Sequence, residues 1–219
     1  MASPKITKGA FIQIENGIVS AVPNTIVFKI NPEKFVLKLK PWNPFEGDQA
    51  LRGAQAPNVQ PFDPQESFDF DIELDHAISD YAVENVTGVA DQIAALKKLT
   101  MPSAGPIADL VNAIKGGAAR PTVPVILFVW GPGLVLPVRI SSFEVDVTEF
   151  NQLLYPSKAT VKISIEVMTP DLFKCRHDKA VSLAIAVYKY SKVQENALAL
   201  LNIANSAVQS PGLIPLPGN

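Results

Sequence analysis

With 219 residues and a net charge of −2, the chain is long enough for one domain with an appendage around a substantial core. It carries no basic block, so it has no electrostatic footprint for nucleic acid. Charged residues make up only 18% against 47% hydrophobic, a shortage of charge that points to apolar surface taken up in subunit contacts. The single cysteine, Cys175, excludes an intrachain disulfide, suits a reducing compartment and reads as an inert small residue. Met1-Ala2-Ser3-Pro4-Lys5 lacks the layout of a secretory leader. The longest apolar stretch, Val123 to Val138, is interrupted by Pro124, Gly131-Pro132-Gly133 and Pro137, and falls short of the roughly 20 residues of a membrane-spanning helix. Cytoplasmic synthesis without membrane insertion by this chain is the expectation.

In chain order, Phe11 to Ile14 reads as a short strand closed by an Asn16-Gly17 turn. Thr25 to Ile30 is a strand with Ile26, Phe28 and Ile30 on one face, broken by Asn31-Pro32. Lys34 to Lys40 follows, with Phe35, Leu37 and Leu39 inward and Lys34, Val36, Lys38 and Lys40 outward. Pro41 to Glu66 holds Pro41, Pro44, Pro57, Pro61 and Pro64 and almost no periodicity. Such a loop is either a surface insertion or an arm, and Trp42, Phe45 and Phe62 favour an arm that reaches a neighbouring subunit.

Ser67 to Asp75 returns to strand alternation, with Phe68, Phe70, Ile72 and Leu74 on one face and Asp69, Asp71, Glu73 and Asp75 on the other. Four carboxylates suggest a metal or acid–base site. A straight strand, however, spaces same-face side chains roughly 6.6–7 Å apart, whereas a metal needs ligands converging from several directions. Pairing with Lys34, Lys38 and Lys40 across the sheet is the simpler reading, with a role in register or a subunit contact.

Two helices follow. Val89, Ile93 and Leu96 mark the inner face of Val89 to Leu99, with Asp91 in the first turn. Ile107, Leu110, Val111 and Ile114 mark the second, between Pro106 and Gly116-Gly117. His76 and His177 have no second histidine at ligand spacing and read as surface or satisfied residues.

Three strands occupy Pro121 to Met168. The first, Val123 to Trp130, is apolar on both faces apart from Pro124, which makes it central in a sandwich or buried on its outer face by another subunit. The second places Val138 and Ile140, then slips phase to Phe143, Val145 and Val147, which predicts a β-bulge at Ser141-Ser142. In the third, Val161, Ile163, Ile165 and Val167 alternate with Thr160, Lys162, Ser164 and Glu166, the period of a half-buried antiparallel sheet. Beyond these, Lys179 to Val208 contains no glycine or proline and reads as a helix or helix pair.

Asn31-Pro32 with Phe35, a strand ending in Glu73-Leu74-Asp75, and the helix from Asp91 to Leu99 form one half of a recognisable order. Pro124 to Trp130-Gly131, Phe143 to Phe150, and Tyr155-Pro156 leading into Ala159 to Val167 form the other. Over roughly Lys8 to Pro170, this order resembles the tube-like domain of baseplate and tube-initiator proteins of contractile injection systems, the phage-tail-like particles of the antifeeding-prophage type. The resemblance implies an α+β fold, mainly an antiparallel β-barrel or sandwich of tail-tube type with flanking helices, over residues 1–170. Residues 171–219 form a helical appendage, in which Ser182 to Ala186, Tyr188, Tyr190, Ile203-Ala204-Asn205 and Leu213-Ile214-Pro215 resemble a degenerate LysM skeleton. The glycine–aspartate turn, the tryptophan and the final strand of that module are missing.

The implied role is structural and non-enzymatic, with no cofactor or metal. A homohexameric ring would join the spike or hub protein to the inner tube protein, contact other baseplate proteins and template tube assembly. The strands at 121–130 and 138–147 would form its wall. The expected subunit-interface residues are Lys34, Lys38, Lys40, Trp42, Phe45, Phe62, Asp69, Asp71, Glu73, Asp75, Phe128 and Trp130. A polymerising inner tube protein and a LysM-type glycan-binding module are the alternatives. An enzyme ranks behind them, because no nucleophile–base pair is visible.

Overall fold

The computed structural model describes residues 7–14, 25–41, 43, 60, 62–78, 86–101, 124–173 and 179–209. Among them are seven strands: β1 (Ala10–Ile14), β2 (Thr25–Val27), β3 (Phe35–Lys40), β4 (Gln65–Asp75), β5 (Val125–Trp130), β6 (Leu134–Phe150) and β7 (Pro156–Val167). Two helices accompany them, α1 (Ala90–Leu99) and α2 (Lys179–Gln209). The strands form a single sheet in the order β2-β1-β5-β6-β7-β4-β3, antiparallel throughout. The fold is α+β, and the sheet is open, with β2 and β3 at its two edges.

Aromatic contacts reveal how strongly this sheet curls. Phe35 on β3 stacks against Trp130 on β5 at 5.2 Å between centroids, although β4, β7 and β6 lie between their strands. Phe11 on β1 lies 6.2 Å from Phe70 on β4, again across three strands. In a flat sheet those strands would be about 19 Å apart, four spacings of ~4.8 Å. The sheet therefore rolls around an aromatic core of Phe11, Phe28, Phe68, Phe70 and Phe128, all buried, with Phe35 and Trp130 packed against it. Part of the curvature comes from the bulge expected at Ser141-Ser142. Ile140 pairs with Ile165 and Ser142 with Ser164, so Ser141 is the extra residue and the inward phase passes to Phe143, Val145 and Val147.

The alternation in β4 and β7 sets their register directly. Phe68, Phe70, Ile72 and Leu74 face Ile165, Ile163, Val161 and Ala159 across the pair, all buried. α1 seals one end of this core with Val89, Leu96 and Leu99, and Ile93 is partly buried beside them. Its approach depends on Gly88, whose φ of +60° lies in the left-handed region and whose Cα sits against the Pro156 carbonyl. The next amide, Val89 N–H, donates to that same carbonyl at 2.8 Å.

Several expectations need correction. β2 ends at Val27, yet Phe28 remains in the core because its N–H donates to the Gly9 carbonyl at 2.8 Å and holds the chain against the sheet. Leu37 and Leu39 do not point into a core; they are 51% and 54% exposed. They lie opposite Phe68 and Glu66, but β3 is an edge strand, and among the described residues nothing covers it beyond Phe35 and Val36. The two-sided β5 is covered on its outer face by this chain itself. Val125 and Leu127 pack with Ile14, Phe173, Ala180, Val181 and Ala184 in a second cluster beneath α2, so no neighbouring subunit is needed there. Finally, α2 runs unbroken from Lys179 to Gln209, and the paired helices of a LysM skeleton do not form. The segment expected as a second helix at 107–114, and Cys175 and His177, lie outside the described residues.

Candidate functional site

The charged surface lies on the convex side of β4 and its neighbours. Asp71 and Glu73 are exposed, and with Lys34 and residues 30–33 they line a small cleft of about 160 Å³. Lys38 forms an ion pair with Asp69 across the β3–β4 pair. The hydrogen bond from Lys38, aided by one from Ser164, holds the Asp69 carboxyl below its usual range. Lys162, opposite Asp71 in the register, turns instead to β6 and binds Asp146 at 2.7 Å and Glu144 at 3.2 Å. Asp75 caps the turn after β4, accepting the Ala77 N–H at 2.8 Å. Lys40 lies opposite Gln65 and is exposed. The surface is a ladder of solvated charges of both signs. Among the described residues no three His, Cys, Asp or Glu side chains converge on a metal-sized point.

The aromatic candidates divide. Phe128 is fully buried and belongs to the interior of the curled sheet, not to a subunit contact, whereas Trp130 packs on Phe28, Phe35 and Phe128 and remains half-buried. The strand pattern could not show this, because it is the roll of the sheet that encloses the concave face. Phe62 is exposed. Trp42 and Phe45 lie outside the described residues.

Sequence reasoning missed a polar clamp that fixes α2 to the sheet. Lys192 binds Glu66 of β4, which is nearly enclosed, and reaches Glu195 at 2.8 Å. Tyr188 donates its hydroxyl to Asp63 at 2.7 Å, and Ser191 donates to the Val135 carbonyl of β6. Burial pulls the Lys192 ammonium down, but the hydrogen bonds to Glu195 and Glu66 more than offset it and leave its pKa raised. Burial, together with the Asp63 carboxylate, pushes the Tyr188 phenol well above its usual value. The signal was present in Glu66, which breaks the apolar inner face of β4, and in Lys192, on the buried side of the helix.

A second missed feature is the β6–β7 turn. Asn151 accepts the N–H groups of Leu153 and Tyr155 on its side-chain oxygen at 3.0 and 2.9 Å. Its amide nitrogen donates to the Val86 carbonyl at 2.8 Å. The loop so fixed holds Leu154 at φ +63°, in the left-handed region that a leucine adopts only under constraint, and leaves it 79% exposed. Phe150, Leu153 and Tyr155 are exposed beside it. An open cleft of about 560 Å³ lies next to them, lined by Val86, Gly88, Phe150 and Leu153 among others.

The described apolar surface is thus concentrated in three places: the β3 edge, the β6–β7 turn and the distal half of α2, where Leu198, Leu200, Leu201 and Ile203 are exposed. Among the described residues none of the three carries a nucleophile with a base beside it. No helix among the described residues is long and apolar enough to cross a membrane. Compared with known proteins, the chain matches no family model and no curated protein.

Proposed function

We propose that this chain is a non-enzymatic structural subunit, a tube-initiator or hub-adaptor ring of a contractile injection particle. The observation that carries the reading is a curled, open antiparallel sheet with exposed apolar residues at its β3 edge and at a rigid turn. A closed ring uses one patch of each copy against a different patch of the next, and unlike surfaces of this kind supply such a contact. The convex ladder of Lys34, Lys38, Asp69, Asp71 and Glu73 would set register between copies, since solvated pairs discriminate partners more than they add affinity. The partners of the reading are further copies of the chain, the inner tube protein, the spike or hub protein and other baseplate proteins. Homohexamers of tail-tube architecture are what the resemblance over residues 8–170 implies.

Mass photometry of the chain alone and with a candidate spike-hub protein tests this. A ring that grows in number or stability when the hub is added supports a templating adaptor. Long polymers formed by the chain alone favour an inner tube protein instead. A particle that ignores the hub in every condition overturns the reading.

A further inference from the structure

α2 changes sides halfway along its length. Its first half buries Ala180, Val181, Ala184, Tyr188 and Ser191, a stripe that faces β5 and β6. Continued at ~100° per residue, that stripe passes through Glu195, Asn202 and Ser206. Most apolar side chains of the distal half lie on the other side, where Val193, Ala197, Leu200 and Ala204 form a second stripe with Leu201 and Ile203 on its two flanks, while Leu198 stays on the side of the first stripe. Every residue from Glu195 to Ser206 is exposed, and Val193, Leu198, Leu200, Leu201 and Ile203 are between 61% and 66% exposed. The apolar face of the distal half is therefore directed away from the sheet that its first half covers.

The distal half also lacks the charges of a solvated helix. No Asp, Glu, Lys, Arg or His occurs from Asn196 to the last residue, Asn219. An apolar helix without charged residues is a buried helix in the finished assembly. We infer that residues 193–206 of α2 are a self-association element that packs against the same segment of further copies of this chain, in a bundle of more than two helices.

Three arguments select that occupant. Covering an apolar arc that holds no charged residue (Glu195 lies on the other side) with a charged surface would strand the partner's charges, whereas covering it with its own copy strands none. The four large exposed side chains of the arc, Val193, Leu200, Leu201 and Ile203, at roughly 100 Å² each, give about 800 Å² per pair of copies, short of the ~1,000 Å² of a specific interface, so more than two copies are needed to reach it. The apolar arc is also wide. Ile203 and Leu201 lie on its two opposite flanks, so a two-stranded seam would leave one of them in water, while a helix with a neighbour on each side covers both. Asn196, next to Leu200 on the stripe, is a polar residue of the kind that fixes register in such bundles.

The inference concerns the chain with itself and does not rest on the injection-particle reading. Its test is light scattering coupled to size exclusion on the full chain at micromolar concentration, beside the double variant Leu200→Asp/Ile203→Asp. Assemblies of more than two copies are expected for the natural sequence. The double variant should be monomeric, each substitution weakening association at least about 30-fold as for a buried anchor. Its far-UV circular dichroism and melting should otherwise match the parent, because both positions are exposed among the described residues. Should the double variant fail to fold, Leu200→Ala/Ile203→Ala should fold and still weaken association at least about tenfold. A monomeric or dimeric natural chain overturns the inference, as does a double variant that assembles like the parent. Assembly lost on Leu37→Asp but kept in the double variant would leave the ring reading standing and remove the helix bundle.

Discussion

Two side chains of the same type have very different weights here. Lys38 and Asp69 form their pair on the surface, with Lys38 mostly solvated, so Lys38→Ala should cost less than about 0.5 kcal/mol in denaturant unfolding. Lys192 holds Glu66 under α2, and Lys192→Ala should cost about 2 kcal/mol, because a nearly enclosed carboxylate loses its cation. The pH dependence of stability follows from the same clamp. Tyr188 and Lys192 both have raised pKa values in the fold, so their contribution is fully present below the unfolded values near 10 and is lost as pH rises through the folded ones. Thermal melting as a function of pH should fall above about pH 10, and Tyr188→Phe should flatten part of that fall. Asp69, with its lowered pKa, acts at the other end: its contribution is present above about pH 4 and lost on acidification. At Gly88 the constraint is steric. An added Cβ would lie 2.2 Å from the Pro156 carbonyl oxygen, on a backbone already at φ +60°. Gly88→Ala should therefore destabilise the fold by about 2–4 kcal/mol, read from the shift in the denaturation midpoint.

At the scale of the element, β6 is the clearest case of sequence dictating shape. Its one-residue phase slip places Ser141 outside the ladder, and the Ser141 hydroxyl bonds the Ser164 carbonyl at 3.2 Å from an exposed position. Ser141→Ala should thus cost less than about 1 kcal/mol. Deleting Ser141 should be far worse, because it turns Phe143, Val145 and Val147 to the wrong face, and loss of the cooperative melting transition is the expected result. Legibility in sequence tracks the kind of period each element carries. β4 and β7 were readable because each has one wet and one dry face. β3 was misread because alternation of Phe35, Leu37 and Leu39 with lysines reports two faces but not whether anything lies above them. α2 was expected as a helix, yet its reversal of apolar face appears only once the buried stripe is known.

For the molecule as a whole, the roll of the sheet decides which apolar residues are interior and which remain for assembly. Phe128, read from sequence as an interface candidate, lies within 5.7 Å of Phe35 and 5.4 Å of Phe70 in the closed centre of the curl. Phe128→Ala should behave as a core truncation, costing about 3–5 kcal/mol in calorimetry. By contrast, Leu37→Lys with Leu39→Lys on the β3 edge should leave melting unchanged and weaken association with partner copies in mass photometry.

The amino-acid sequence by itself determined the strands of β1 and β4–β7, the bulge in β6, the helix α1 and the helical character of α2, though not that α2 is one helix instead of two, because each is written in a local period or a local breaker. It also determined that charge is scarce. Tertiary structure alone decided where the scarcity falls. Contacts of Phe35 with Trp130 and of Phe11 with Phe70 join strands far apart in the sheet, and the cover that α2 lays over Val125 and Leu127 joins residues more than fifty positions apart. Burial is a property of those meetings, and no period along the chain encodes them.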